Sequence, residues 1–536
     1  MAPKPETSGS AVVWFRKCLR LHDNAPLLEA SKSGVKQLCP VFVLDPSFGP
    51  SSVGTNRYNF LLECLKDLDQ QLRKRYRSRL IVLRGKPQDV FAKLLQSGKP
   101  LMSAKPRVIL WEKDTEPYAV KRDKAVEQLA TKSGVEVRTF SGHTLWDVAE
   151  ALARNKGTAP STGNGMVSLA KAMGEPAAPK PAPAKLPPLP PSASTKAYDV
   201  PDLKQMGYKS SPQTYLKGGE TPGLVRMAAM LKKTKYIRTF QKPKTRSTAF
   251  DPPDTTVLSP YFKFGCVSIR QFYHGLKKVC AGAQTSKPPE SLLGQIYFRE
   301  MAYLMGASIP NFDRQAGNPC CKPIPWAKNK KLLAAWECGR TGYPFIDACM
   351  RQLARVGWLH HLARHAVACF LTRGDLWLSW EEGRDVFDKL LVDADWSLNN
   401  MNWLGLSGAA PWSPPFFRVY HPVPKMDSAL NVQDPEGKFI REYIPELRKM
   451  PSKYIYAPWT APKEVQQAAG CVVGKDYPRP IVDHDAASKA NLARFKKALD
   501  AAKSSASAKK NSKGASSGQK RNAPQPWGSP KRQRKS

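Results

Sequence analysis

Among its eleven cysteines this 536-residue chain has no CxxC pair, and the one close set, Cys320-Cys321, joins adjacent residues that rarely bridge. Reduced thiols in a reducing, intracellular setting are the expectation. Long apolar runs are missing too: none approaches the ~18 residues of a membrane span, so no membrane partner is expected. Met1-Ala2-Pro3-Lys4-Pro5 lacks the apolar core of a secretory signal. No internal repeat is found, which argues against a solenoid. Acids are scarce, 44 against 84 Lys and Arg, for a net charge of +40. Each Lys or Arg that neutralises a phosphate releases condensed counterions, so nucleic acid is the first candidate partner. Residues 501–536 carry ten Lys or Arg and no acid; taking those from +40 leaves +30 on the first 500 residues. The folded part is basic as well.

What is present begins with short β-branched or apolar runs at Ala11–Phe15, Gln37–Leu44, Arg79–Leu83, Arg107–Trp111 and Val135–Phe140. Helical patterns separate them at Tyr58–Arg75, Pro87–Gln96 and Tyr118–Ser133. Alternation of this kind predicts a doubly wound parallel sheet, an α/β domain over residues 1–145. Residues 146–204 turn rich in Pro, Ala, Ser and Lys, stiffest at Lys185-Leu-Pro-Pro-Leu-Pro-Pro-Ser192, and read as an interdomain connector. Beyond it, period-3.6 patterns at Thr221–Lys232, Ser268–Val279, Ser291–Met305, Lys330–Glu337, Tyr343–Arg355, Leu359–Thr372 and Glu381–Leu391 predict a mainly helical domain over 205–495. Residues 496–536 are expected to be a disordered basic tail. Its Lys520-Arg521 and, after a spacer, Lys531-Arg-Gln-Arg-Lys535 read either as a bipartite nuclear import signal or as a charged solubilising end. A nuclear location is expected, with a cytoplasmic share left open.

The densest chemistry lies at Gly357-Trp-Leu-His360-His361-Leu-Ala-Arg364-His365, Asp393-Ala-Asp395-Trp396 and Asn399-Asn-Met-Asn-Trp403. His361 and His365 are four apart on one predicted helix, so their rings share a face. Metal ligation, proton donation near physiological pH, and plain hydrogen bonding all fit such a pair. A catalytic zinc normally takes a Glu base as in HExxH, whereas position 362 is Leu. Asp393 or Asp395, if buried, needs a cation, and Arg364 is the obvious one. Thr255-Thr256-Val257-Leu258-Ser259-Pro260 places hydroxyls and amides before a helix, which suits either a phosphate or a helix cap. Trp326, Trp377, Trp380 and Trp403 are core aromatics or, because indole oxidises easily, a path for electrons.

Together with Trp14-Phe-Arg-Lys17, Leu19-Arg-Leu-His-Asp-Asn24, Thr256-Val-Leu-Ser-Pro-Tyr-Phe-Lys-Phe-Gly-Cys-Val-Ser268 and Gly339-Arg-Thr-Gly-Tyr-Pro-Phe-Ile-Asp347, these segments resemble the cryptochrome/photolyase family. The likeness runs through residues 11–490 and is to its (6-4) photolyase and animal-like cryptochrome branch. It implies FAD in the helical domain, with Thr255, Thr256, Val257, Leu258 and Ser259 around its phosphates and Gln295 and Arg299 nearby. Arg364, Asp393 and Asp395 would lie along the ring system, and Asn399 matches the position facing N5. Trp403, Trp380 and Trp326 match the proximal, middle and distal members of an electron-transfer chain, and Trp377 a fourth.

His361 and His365 match the lesion-pocket histidines, where a protonated ring, His361 first, would serve as acid. Lys242, Gln295, Phe298 and His361 would meet damaged double-stranded DNA. The implied activity is blue-light repair of (6-4) photoproducts by a monomer. The alternative is a photosensory cryptochrome signalling through a protein partner. A second chromophore in the α/β domain, deazaflavin or folate, is left open. Two departures stand out: Phe298 where the branch usually has Trp, and the run Trp403-Leu-Gly-Leu-Ser-Gly-Ala-Ala-Pro-Trp-Ser-Pro-Pro-Phe-Phe-Arg-Val-Tyr420, whose prolines and glycines are expected to reshape a pocket loop.

Overall fold

Five short strands, β1 (Ser10–Phe15), β2 (Gln37–Leu44), β3 (Ile81–Arg84), β4 (Val108–Glu112) and β5 (Glu136–Phe140), form one all-parallel sheet in the order β3-β2-β1-β4-β5. The computed structural model describes residues 9–515. Val13 of β1 pairs with Pro40 of β2 and with Leu110 of β4. All six residues of β1 are buried, as expected of a strand covered on both faces. Alternation sends Ala11, Val13 and Phe15 to the core shared with Leu27, Leu61 and Leu65, and Val12 and Trp14 to the one shared with Phe91, Leu94 and Val126. The expected doubly wound α/β domain is what forms. Its strand order reverses direction between β1 and β4, the switch point where such sheets open a crevice.

The helical domain is tied on through the loop after β1. Arg20 reaches the Gly265 carbonyl and Glu112, Asp23 accepts from Ser268 and Arg270, and the Glu220 carboxylate takes the backbone amides of Leu21 and His22. Gly265 lies at φ +64, and a Cβ there would come within 2.0 Å of the Lys17 carbonyl oxygen, so only glycine lets the domains close. On the far side Arg57 holds the Ala394 carbonyl at 3.1 Å.

Helices Glu220–Leu231, Ile269–Cys280, Leu292–Ser308, Lys330–Glu337, Pro344–Val356 and Trp380–Leu390 fall where the periodicity places them. Leu359–Thr372 differs. It is an α-helix over His361–Cys369 followed by a wider turn, Phe370–Gly374, in which Thr372 leaves helical geometry. The helix Trp396–Leu406 is missed by periodicity because its buried positions mix polar Ser397, Asn399 and Asn400 with Met401, Trp403 and Leu404, so no apolar stripe stands out.

Residues 146–204 contain two helices, Val148–Arg154 and Gly163–Met173, both packed on Leu292–Ser308. Its proline-rich stretch is strapped to the sheet domain, with Leu38 donating to the Pro188 carbonyl and Tyr76 to that of Pro183. The expectation of disorder from residue 496 is corrected: a helix runs from His484 to Ala515. Its Ala, Leu and Lys are good helix formers, Phe495 is fully buried, and Asn491 donates to the carbonyls of Gly374 and Asp375. The import-signal residues 520–535 lie outside the described residues.

Candidate active site

A cavity of about 290 Å³ opens in the helical domain, walled by the 255–259 segment and the helices Leu292–Ser308, His361–Cys369 and Trp396–Leu406. Lys242, Thr255, Thr256, Val257, Leu258, Ser259, Gln295, Phe298, Arg299, His361, Arg364, His365, Asp393, Asp395, Asn399 and Trp403 all line it. Residues spread over more than 150 positions thus meet in one space.

The 255–259 segment is held from behind, with Arg226 donating to the Thr256 carbonyl and Tyr236 to that of Asp254. Val257 sits at φ +49, a costly conformation for a β-branched residue. The Thr255 hydroxyl is buried without a partner in the protein. A strained backbone bearing an orphaned hydroxyl is what a ligand's polar groups repay. Ser259 donates to Asp393 Oδ2 at 2.7 Å.

Arg364 contacts Asp393 through Nη2 at 2.9 and 3.1 Å while its Nε holds the Leu359 carbonyl at 2.9 Å. The ion pair is therefore rigid at both ends. Asp395 caps the Trp396–Leu406 helix through the Leu398 amide and accepts from Tyr303 at 2.5 Å. Burial opposes its charge, yet Lys263 and then Lys17 hold the carboxyl well below the usual range. The Asn399 side-chain nitrogen donates to the Arg384 carbonyl at 3.1 Å, which pins the amide on the cavity wall. Arg299 is stacked 4.6 Å from the Tyr303 ring.

His361 and His365 face the cavity with ring centres 6.2 Å apart. His361 Nε2 is buried without a partner, and His365 Nδ1 lies 3.4 Å from the Tyr420 hydroxyl. Burial first and then Lys242 push both imidazoles down, His365 to about 3. Lys242 is itself lowered to about 8 by burial and by Arg364. Both effects favour the neutral ring in the empty cavity, burial more than Lys242, and an anion beside Lys242 would oppose the second of them. His360 turns away, capping its helix and bonding Thr245 at 3.0 Å. The grouping of His and acid side chains close enough to hold a metal among the described residues is His421, His484 and Asp485, which includes neither cavity histidine.

Trp403 is on the cavity wall, its ring seated against Gly383, where a Cβ would come within 2.2 Å. Trp380 is fully buried at the start of the helix whose Phe387 lies 5.0 Å from Trp403. Trp326 and Trp377 form a pair 5.0 Å apart, both edge-on to Phe495. Trp336 was missed: it is fully buried, edge-on to Trp403 at 6.2 Å and stacked on Phe387. A lone Trp in the short pattern Lys330–Glu337 carries no signal for that contact.

Within the altered 403–420 run, residues 409–416 lie away from the cavity, and Tyr420 comes back beside its His365. Leu406 still lines it, but Ala409 and Ala410 are buried elsewhere, Trp412 donates to the Met401 carbonyl, and Phe416 stacks on Phe495 at 5.0 Å.

Residues 11–184 match the DNA photolyase model, and residues 292–497 match the FAD binding domain of DNA photolyase. A (6-4)DNA photolyase of Oryza sativa subsp. japonica is 46% identical over 503 residues, 90% of this chain and 89% of the rice protein. The chain belongs to the DNA photolyase/cryptochrome family. Cryptochrome-1 of Gallus gallus is 45% identical over 505 residues, 91% of this chain and 78% of the chicken protein. In three dimensions the photolyase fold of this chain is similar to a class III photolyase of Agrobacterium tumefaciens, with a TM-score of 0.77 at 28% identity, covering 93% of this chain and 99% of that one. FAD is the group that the 255–259 segment and the Arg364–Asp393 pair of this family member suit.

The chain has a further opening in its α/β domain. A cavity of about 310 Å³ at the carboxyl ends of β1 and β2 is lined by Trp14, Phe48, Tyr118 and Arg122, and by Lys263 and Trp396 from the helical domain. No helix among the described residues is long and apolar enough to cross a membrane.

Proposed function

We propose that the protein repairs (6-4) pyrimidine photoproducts in double-stranded DNA under blue light. The observation that carries this reading is the His361–His365 pair, with Lys242 and Phe298, on the wall of the cavity that holds Arg364, Asp393 and Asn399. When bound, FAD supplies the light-driven electron. Everything else falls to the chain's own groups.

A lesion leaves the stack cheaply because it is already unpaired, and its base meets Phe298 and Gln295 on entry. A DNA phosphate drawn to Lys242 offsets the strongest of the charges that add to burial in lowering the histidines, which favours a proton on His361 Nε2. That N–H then donates to the hydroxyl or amino group moving between the two bases. His365, anchored near Tyr420, shares the proton from one helical turn below. Arg364–Asp393 keeps the cavity rigid, and Trp403 lies where an electron from an external reductant can enter.

The deciding measurement is blue-light conversion of an oligonucleotide carrying a (6-4) photoproduct by fully reduced protein. Absence of turnover rejects the reading. A second, photosensory reading draws on the Trp326–Trp377 pair packed against Phe495 of the C-terminal helix, and on the cryptochrome-1 relatives. Under it, light-dependent binding of a protein partner survives His361→Ala while repair does not.

The crevice at the ends of β1 and β2 is the proposed seat of an antenna chromophore, deazaflavin or folate, to be identified by mass after release from purified protein. The protein acts as a monomer in the nucleus under this proposal. A fluorescent fusion lacking residues 520–536 that still accumulates there removes the tail as the import signal.

A further inference from the structure

Asp395, Tyr303 and His143 form the wall between two cavities. Asp395 lines the flavin cavity, whereas Tyr303 and His143 line another of about 320 Å³ beside β4 and the Ser141–Thr144 loop. The Tyr303 hydroxyl stands 2.5 Å from Asp395 Oδ2 and 2.7 Å from His143 Nε2. Both contacts are within hydrogen-bonding distance, and each has room for one hydrogen. On the other side of the imidazole, Nδ1 lies 3.1 Å from the Lys17 carbonyl oxygen, which only accepts. Nδ1 therefore carries the ring hydrogen, and a neutral His143 leaves Nε2 bare.

The neighbouring charges favour those forms. Burial, then Arg299 and Lys17, press His143 well below its usual range, with Asp395 and Asp114 pulling the other way. Burial and Asp395 keep the Tyr303 phenol protonated, opposed by Arg299. Against burial, Lys263 and Lys17 keep Asp395 ionised, helped by His143 and the Tyr303 hydroxyl. Two short contacts are thus left with one hydrogen between them.

We propose that Asp395–Tyr303–His143 is a proton slot, one hydrogen short at rest, that fills from the cavity beside β4 when negative charge enters the flavin cavity. One proton from solvent bonds to His143 Nε2, the new N–H donates to the Tyr303 oxygen, and the phenol proton stays directed at Asp395. No other covalent bond changes, and the electrons come from an external reductant. Added negative charge beyond Asp395 raises the proton affinity of the whole chain of groups. The slot rests on the flavin site and not on the lesion, so it stands or falls without DNA present.

The test uses full-length, FAD-loaded protein carrying nitrogen-15-labelled histidine, without DNA, oxidised and then reduced with dithionite at neutral pH. On reduction the His143 Nε2 resonance is expected to move from that of a bare nitrogen to that of an N–H. A pH-indicator dye should record about one proton more taken up by the wild type than by Tyr303→Phe. A His143 resonance unchanged by reduction overturns the slot, and so does equal uptake by the two proteins. His143→Gln should show the same missing proton with an unaltered oxidised flavin spectrum. If that variant does not fold, Tyr303→Phe, which removes a single oxygen, carries the comparison.

Discussion

Lys242 Nζ lies 4.9 Å from the centre of the Phe298 ring, a cation held over the residue that replaces the branch's usual tryptophan. Indole offers an unstacked base a larger face than phenyl, and base–aromatic stacking is worth about 1–3 kcal/mol per base. Phe298→Trp is therefore expected to bind a (6-4) oligonucleotide roughly two- to fivefold more tightly in a filter or fluorescence titration. Weaker binding by the variant means that the cavity is shaped for the smaller ring.

His361→Ala should lower repair by roughly a hundredfold or more while the flavin absorption spectrum stays unchanged. Because burial and Lys242 hold the ring neutral in the free protein, kcat/KM for the wild type should rise as pH falls towards the acid side. Single-turnover repair across pH checks both statements. A profile of opposite slope would assign the acid to another group.

Burial holds His360 at about 3, against 6.5 for an unperturbed imidazole. Between those values the unfolded chain binds a proton that the folded chain refuses. Stability from this group is thus whole above pH 6.5 and drains as pH falls towards 3, by roughly 4–5 kcal/mol at the limit. His360→Asn keeps a helix-capping side chain and lacks the titration. Its Tm should fall less steeply than that of the wild type over this window in thermal scans.

Trp403→Phe should slow blue-light reduction of the bound flavin by an external thiol at least about tenfold, leaving repair by chemically reduced protein intact. Trp336→Phe offers the matching control on the other ring that touches Trp403. If Trp403→Phe photoreduces at the wild-type rate, electrons enter by another route.

Strands β1, β2 and β4 were legible because short apolar runs buried on both faces look alike wherever they occur, and β2 has the bounds its sequence predicts. His361 and His365 share a wall as their spacing requires. The helix Trp396–Leu406 was hidden because polar and apolar residues share its buried positions, which erases the period by which a helix is recognised. His360 sits beside His361 in the chain yet serves Thr245, because it is the non-helical cap residue whose ring folds back onto the Leu362 amide.

By itself the amino-acid order determined the two domain types, the basic charge, and the identities of the groups brought to the cavity. Only the tertiary structure decided that burial opposes charge on the cavity histidines, that Trp336 touches Trp403, that Phe416 turns to Phe495, and that Tyr303 joins Asp395 to His143. Periodicity reports which side of one element is buried. Desolvation and the meeting of side chains from different elements depend on how those elements pack, and no local pattern encodes that.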